Sequence, residues 1–292
     1  MAADYTEFQK NFQIFARKRP DLIMNTLSNI FTMRLIGNKT HGDMAEIGIA
    51  EFVHQFMYNY DSEHVGKEMF RAKEHEEDII IIDEITKATI PVSLKAYGDG
   101  PLQLSTDKEA RMYPELLKHG YDITDRLEIA RIFQSDAFSG LAQVNVMPLI
   151  YREKQMECNI MVFDFESMRQ QTSRILYVGA GQRYDAQQKS VVDATGRNRK
   201  HPIYMFLDAA GNYICEVRYG DAAANALQRG FWTHTDVASA YFNSLTNGWI
   251  SYAHNLTLVK LFRLALNATE AGHAAANQLL QDNIDRLFRC GQ

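Results

Sequence analysis

Cysteine is scarce in this chain: Cys158, Cys215 and Cys290 are odd in number and far apart. Their spacing supports neither a disulfide framework nor a zinc site, and it fits a reducing compartment. No apolar run approaches the length of a membrane span. Met1-Ala2-Ala3-Asp4-Tyr5 also lacks a basic segment leading into an apolar core, so the expectation is a cytoplasmic protein with no membrane partner. No internal repeat, low-complexity tract or Gly/Ser-rich linker divides the 292 residues. A basic surplus is missing as well. The net charge of −5 is a poor start for binding a polyanion, which gains from counterion release by Lys and Arg.

The distribution of charge softens that objection. Between Asp61 and Ile90 acids outnumber bases, whereas from Arg169 to Arg229 bases outnumber acids. The first stretch suits a cation site and the second suits a docked polyanion. The 46% hydrophobic fraction is ample for a core. Hydrophobic periodicity and turn signals predict helices over 5–16, 20–36 and from Thr40 to about Tyr58. Strands follow at 69–72, 78–82, 89–97 and 102–104, then helices at 108–117 and 124–133. Strands at 159–165 and 174–179, a hairpin of 204–207 with 213–219, and helices at 237–245, 253–266 and 274–288 complete the pattern. The order implies an α/β fold, a central mixed sheet flanked by helices in an α/β/α arrangement. We expect one elaborated domain over 1–292, with N-terminal helices and core to about 147 and a later, partly helical half from about 148.

The most informative segment is Asp78-Ile79-Ile80-Ile81-Ile82. The isoleucine run is too short for a globular helix and β-branched throughout, so it reads as a strand buried on both faces. With a turn over 84–87, its hairpin partner is 89–95, which sets Asp78 roughly opposite Ser93–Lys95. A carboxylate beside a lysine at the end of a buried hairpin has the makings of a metal-dependent phosphodiesterase. Hydrolysis of a phosphodiester wants a divalent cation, an activated water and stabilisation of transition-state charge. Mg²⁺ takes one or two carboxylates plus waters and substrate oxygens. The alternative is a solvated, unrelated acid and lysine at two strand ends.

These residues resemble the PD-(D/E)xK nucleases, and among them the type II restriction endonucleases, over residues 40–118. Asp78 matches the family's first acid, preceded by Glu77 instead of Pro, and Lys95 matches its lysine. Ser93 departs from the pattern, standing where an Asp or Glu is usual. The resemblance implies a restriction-endonuclease-like core, Mg²⁺ as cofactor, Asp78 and the Leu94 carbonyl as metal ligands, and Lys95 as the group that orients water or steadies charge. It implies that the missing acid comes from Glu109 on the following helix, with Glu46 in reserve. Glu109 is equally placed to complete a capping box with Thr106. Glu46 shares a stripe with Ala50, Val53 and Met57, which leaves it an inward acid needing a partner or a flank residue. The partners implied are double-stranded DNA and a second copy of the chain in a homodimer.

For DNA contacts the candidates lie in two segments. Arg197, Arg199 and Lys200 belong to an aperiodic polar loop, which is either a phosphate grip or a solvated basic loop. Arg218, Asn225, Gln228, Arg229 and His234 follow or flank a strand and include the side chains suited to base edges, although 222–227 also reads as a core-facing turn. Two rival functions stay open. One is a non-catalytic DNA- or partner-binding protein on a degraded nuclease framework, favoured by Ser93; the other is a repair nuclease of low specificity.

Overall fold

A computed structural model describes residues 2–35, 41–65, 78–107, 109–143, 145–194, 201–218, 229–253, 256–265 and 270–289. Helices α1 (Ala2–Lys18), α2 (Pro20–Leu35) and α3 (His41–Phe56) precede strands β1 (Tyr60–His64), β2 (Ile79–Asp83) and β3 (Thr89–Tyr97). Next come β4 (Pro101–Ser105), α4 (Met112–His119), β5 (Asp122–Ile123), α5 (Arg126–Gln134), β6 (Val146–Arg152) and β7 (Glu157–Phe163). Helix α6 (Phe165–Gln171) leads into β8 (Arg174–Val178), β9 (Gln182–Asp185), β10 (Ser190–Asp193), β11 (Ile203–Leu207), β12 (Tyr213–Arg218) and β13 (Gly230–His234). The chain continues through α7 (Ala238–Tyr241), β14 (Phe242–Ser244), β15 (Ile250–Ser251), α8 (Leu256–Ala265) and α9 (Glu270–Arg289). The fold is α/β with a mixed sheet flanked by helices, as the element order implies.

Contacts divide the chain into two compact units, and neither is one continuous stretch. One comprises residues 10–96, 149–160 and 246–292; the other comprises 1–9, 97–148 and 161–245.

In the first unit β1, β2 and β3 form an antiparallel meander, with Ile79 opposite His64 on one side and Val92 on the other. Strands β6 and β7 continue the sheet beyond β3. Burial alternates along the meander. Ile79, Ile81, Ile90, Val92 and Leu94 are buried, while Ile80, Ile82, Pro91, Ser93 and Lys95 are half-exposed. The isoleucine run is therefore buried on one face only, because β2 is an ordinary half-covered strand and not an interior one. Helix α3 packs on β1 and β2; Phe52 of α3 meets Phe12 and Phe15 of α1. Ile81 is 1% exposed; Ile81→Ala should destabilise this unit by about 2–5 kcal/mol, read from chemical denaturation.

The β2–β3 turn is built by Asp83, whose carboxylate accepts the amides of Ile85 and Thr86, with Lys87 at φ +60 closing it. Across α3 and β1, His54 Nδ1 and Asp61 Oδ1 lie 2.6 Å apart. The Asp61 hydrogen bond raises the His54 pKa from its ordinary value, and the bonds from His54 and the Ser62 amide lower that of Asp61. The His54 contribution is full below the unfolded imidazole pKa and fades as pH rises through the raised folded value; the Asp61 contribution fades as pH falls through its lowered one. An NMR titration of His54 should give a midpoint above that of a free histidine, and Asp61→Asn should bring it down.

In the second unit β4-β13-β12-β11-β8-β5 form a sheet. Tyr204, Phe206, Val217 and Phe231 line a buried face with Phe133 of α5 and Tyr113 of α4. Leu176, Val178, Ile203, Met205 and Leu207 form a cluster on the other face, and Tyr184 and Val191 of the β9–β10 hairpin pack against it. Several elements differ from expectation. The helix expected over 237–245 is the short α7 followed by β14, since Phe242–Ser244 pair with β7. Strands β1, β5, β6, β9, β10, β13 and β15 and helix α6 are additional to those expected. The strand expected at 69–72 lies outside the described residues.

Candidate active site

The β2–β3 hairpin brings the expected pair together. Ile79 pairs with Val92, and continuing that register sets Asp78 against Ser93. The Asp78 amide instead donates to the Val92 carbonyl at 3.0 Å, so the ladder slips by one residue at its mouth. Such an irregularity re-aims side chains where pairing ends. Here it turns Ser93, Leu94 and Lys95 onto one carboxylate oxygen. Asp78 Oδ2 accepts from Ser93 Oγ at 3.0 Å, from the Leu94 amide at 2.7 Å and from Lys95 Nζ at 3.0 Å. The Asp78 side chain is 18% exposed and that of Lys95 39%, so the carboxylate is sheltered and the ammonium reaches solvent.

Oxygen donors of the kind Mg²⁺ prefers are present. Asp78 Oδ1 takes part in none of those three bonds. A strand residue directs its N–H and C=O toward the same neighbour, so the Leu94 carbonyl, like its amide, points to the Asp78 side. One carboxylate and one carbonyl, completed by water and substrate oxygens, fit a Mg²⁺ ion. Among the described residues no three His, Cys, Asp or Glu side chains group to hold a metal ion. Both described cysteines are buried, and burial pushes the Cys158 thiol up to about 12 and that of Cys215 well above its ordinary value.

Glu46 has the partner that an inward acid requires. It is 8% exposed and its Oε2 lies 3.1 Å from His64 Nε2. His64 stands opposite Ile79, and side chains of opposed residues share a sheet face, so this pair is on the buried, α3-covered face. The three hydrogen bonds to Asp78 Oδ2 come from Ser93, Leu94 and Lys95 and do not involve this pair. His64 escaped the sequence reading, although an acid on an apolar helical stripe was the signal that some partner had to be found.

Glu109 is not in a helix. Ala110 adopts φ +50, a left-handed conformation incompatible with a helical turn, and α4 therefore begins at Met112 instead of 108. Asp107, not Thr106, closes its start, accepting the Arg111 amide at 3.0 Å and the Met112 amide at 2.7 Å. The Glu109 side chain is 69% exposed and lies 2.8 Å from Arg111. It belongs to the other unit from Asp78.

Of the DNA-contact candidates, Arg197, Arg199, Lys200, Asn225 and Gln228 lie outside the described residues. Arg218 is held by Glu216 and lies over Trp232, 4.1 Å from the ring centre. Arg229 gives its carbonyl to Gln103 Nε2 at 2.8 Å and to Trp232 Nε1 at 3.3 Å, and its Nε is buried. The His234 ring packs edge-on against Tyr213. The excess of basic residues between Arg169 and Arg229 is offset locally, since Arg169, Arg174, Arg183 and Arg218 each lie against a carboxylate. Compared with family models, curated proteins and solved structures, the chain matches none.

Proposed function

We propose that this chain is a Mg²⁺-dependent endodeoxyribonuclease of the type II restriction kind, cutting double-stranded DNA at a short specific site. The observation that supports it most is the convergence of Ser93, the Leu94 amide and Lys95 on Asp78 Oδ2 at the mouth of the β2–β3 hairpin. Asp78 and the Leu94 carbonyl are the ligands that would hold the ion. Mg²⁺, when bound, supplies positive charge to the scissile phosphate and acidifies water.

The protein's own part is positioning. The Leu94 amide and Ser93 hydroxyl hold one oxygen of the carboxylate and so limit its rotation, leaving Oδ1 outside those bonds. Lys95, tethered to the same carboxylate, orients the attacking water and offsets charge as the phosphorane-like transition state forms. Ser93 spends its hydroxyl on Asp78 and adds no negative charge, so the ion is held by fewer protein charges than a two-acid site provides. A second copy of the chain, related by two-fold symmetry, would supply the site for the opposite strand.

Incubation with plasmid DNA tests the reading. Discrete fragments that require Mg²⁺ and vanish with EDTA are expected. A smear or nicks would indicate the low-specificity repair nuclease. Retarded but uncut DNA would indicate the non-catalytic reading, which Ser93 in place of an acid favours.

A further inference from the structure

Arg218 differs from a solvated surface arginine in being braced, yet keeps part of its fork free. Its Nε donates to Glu216, a side chain only 2% exposed. Its guanidinium stacks on Trp232. And among the described residues its two terminal nitrogens have no hydrogen-bond partner, the side chain being 26% exposed.

Strand pairing produces this arrangement. Glu216 and Arg218 are two apart on β12 and so share a face. Glu216 is opposite Trp232, and Arg218 is opposite Gly230. Gly230 places no side chain across from Arg218, the position of a Cβ there being taken by the Ser105–Asp107 backbone, and the guanidinium lies over the indole of Trp232, diagonally across the pair. The result is a flat fork fixed in direction by a carboxylate on one edge and an aromatic ring below.

A fork of that kind fits two acceptors side by side, either O6 and N7 of guanine or two oxygens of a phosphate. The charge balance chooses between them. Glu216 cancels the formal charge of Arg218, so the pair gains little from neutralising a phosphate. Its hydrogen-bond directionality toward a neutral acceptor pair is retained, and bracing removes the rotamer freedom that a free arginine loses on binding.

We propose that Arg218 reads one guanine in the major groove, and that Glu216 and Trp232 are the positioning residues that aim it. The inference rests on the duplex-DNA reading above.

Selection of bound duplexes from a random-sequence pool tests it, using the full chain carrying Lys95→Ala so that bound DNA is not cut. The pool should retain an invariant G·C pair at one position. Arg218→Lys should relax discrimination at that position alone by about 10- to 100-fold. Because Arg218→Lys strains a buried carboxylate, the double variant Glu216→Gln with Arg218→Gln provides a second test without an orphaned charge; it should relax the same position. Uniform weakening of every duplex, with a shallower salt dependence, would make Arg218 a phosphate contact and overturn the proposal. An unchanged selected pool would overturn it as well. Failure to bind any duplex would overturn it together with the DNA reading, and plasmid cleavage by the unmodified chain reports separately on the nuclease site.

Discussion

Lys95→Ala should lose cleavage by about 10²–10⁴-fold, the range for removing one group that positions a proton or meets developing charge. Binding of duplex DNA should persist, because one lysine among many basic groups is a small part of the electrostatic attraction. Folding should persist too. The Lys95 side chain is 39% exposed, and a bridge that wet contributes roughly 0–1 kcal/mol. Asp78 retains its bonds from Ser93 and the Leu94 amide, so the carboxylate stays in place when the lysine is gone. Single-turnover cleavage and gel retardation measured on the same preparation separate the two functions. Equal loss of binding and cleavage would mean that Lys95 grips DNA without taking part in the reaction.

Gly230→Ala should destabilise the unit containing β13 by about 2–4 kcal/mol, combining left-handed backbone strain with overpacking. Gly230 has φ +102, and a Cβ there would lie 2.1 Å from the Ser105 carbonyl oxygen and 2.8 Å from the Asp107 nitrogen. Both contacts are backbone, so a side-chain rotation cannot relieve them. The register between β13 and β4 shifts next to it, between Phe231 and Trp232, where a bulge lets the two backbones approach. The measurement is a thermal or urea midpoint; an unchanged midpoint would mean that β4 and β13 do not pair as described. Gly100→Ala is the useful control, since that glycine also has positive φ but no atom within 4 Å of the added carbon; it carries the backbone strain alone.

How much of this was legible beforehand follows from which forces are local. The isoleucine run, the turn-prone residues after it and the return strand fixed the hairpin, and a turn of that length put Asp78 against Ser93–Lys95. One-sided burial of β2 was not legible, because a run of identical residues carries no alternation to read. The slip of the Asp78 amide onto Val92, which gathers three donors on one oxygen, depends on ladder geometry and not on residue type. Glu109 was misplaced for a local reason of another kind: Thr106-Asp107-Lys108-Glu109 satisfies the capping-box spacing, but Ala110 turns the chain left-handed and Asp107 accepts the later amides of Arg111 and Met112, so the helix starts further on. The partners of Glu46 and Arg218 come from pairing across strands. Glu216 is an acid among Ile214, Cys215 and Val217, and nothing in the sequence said that Arg218 and Trp232 would meet over it.

The central claim is that the carboxylate at the mouth of the β2–β3 hairpin, and the lysine bound to it, hydrolyse DNA. Its most direct measurement sets wild type and Asp78→Asn side by side on one plasmid in Mg²⁺. Asn keeps the size of the side chain and an oxygen for the Leu94 amide, yet removes the charge that holds a cation. Discrete fragments with wild type and intact plasmid with Asp78→Asn are the predicted result. Identical fragments from both proteins would contradict the account.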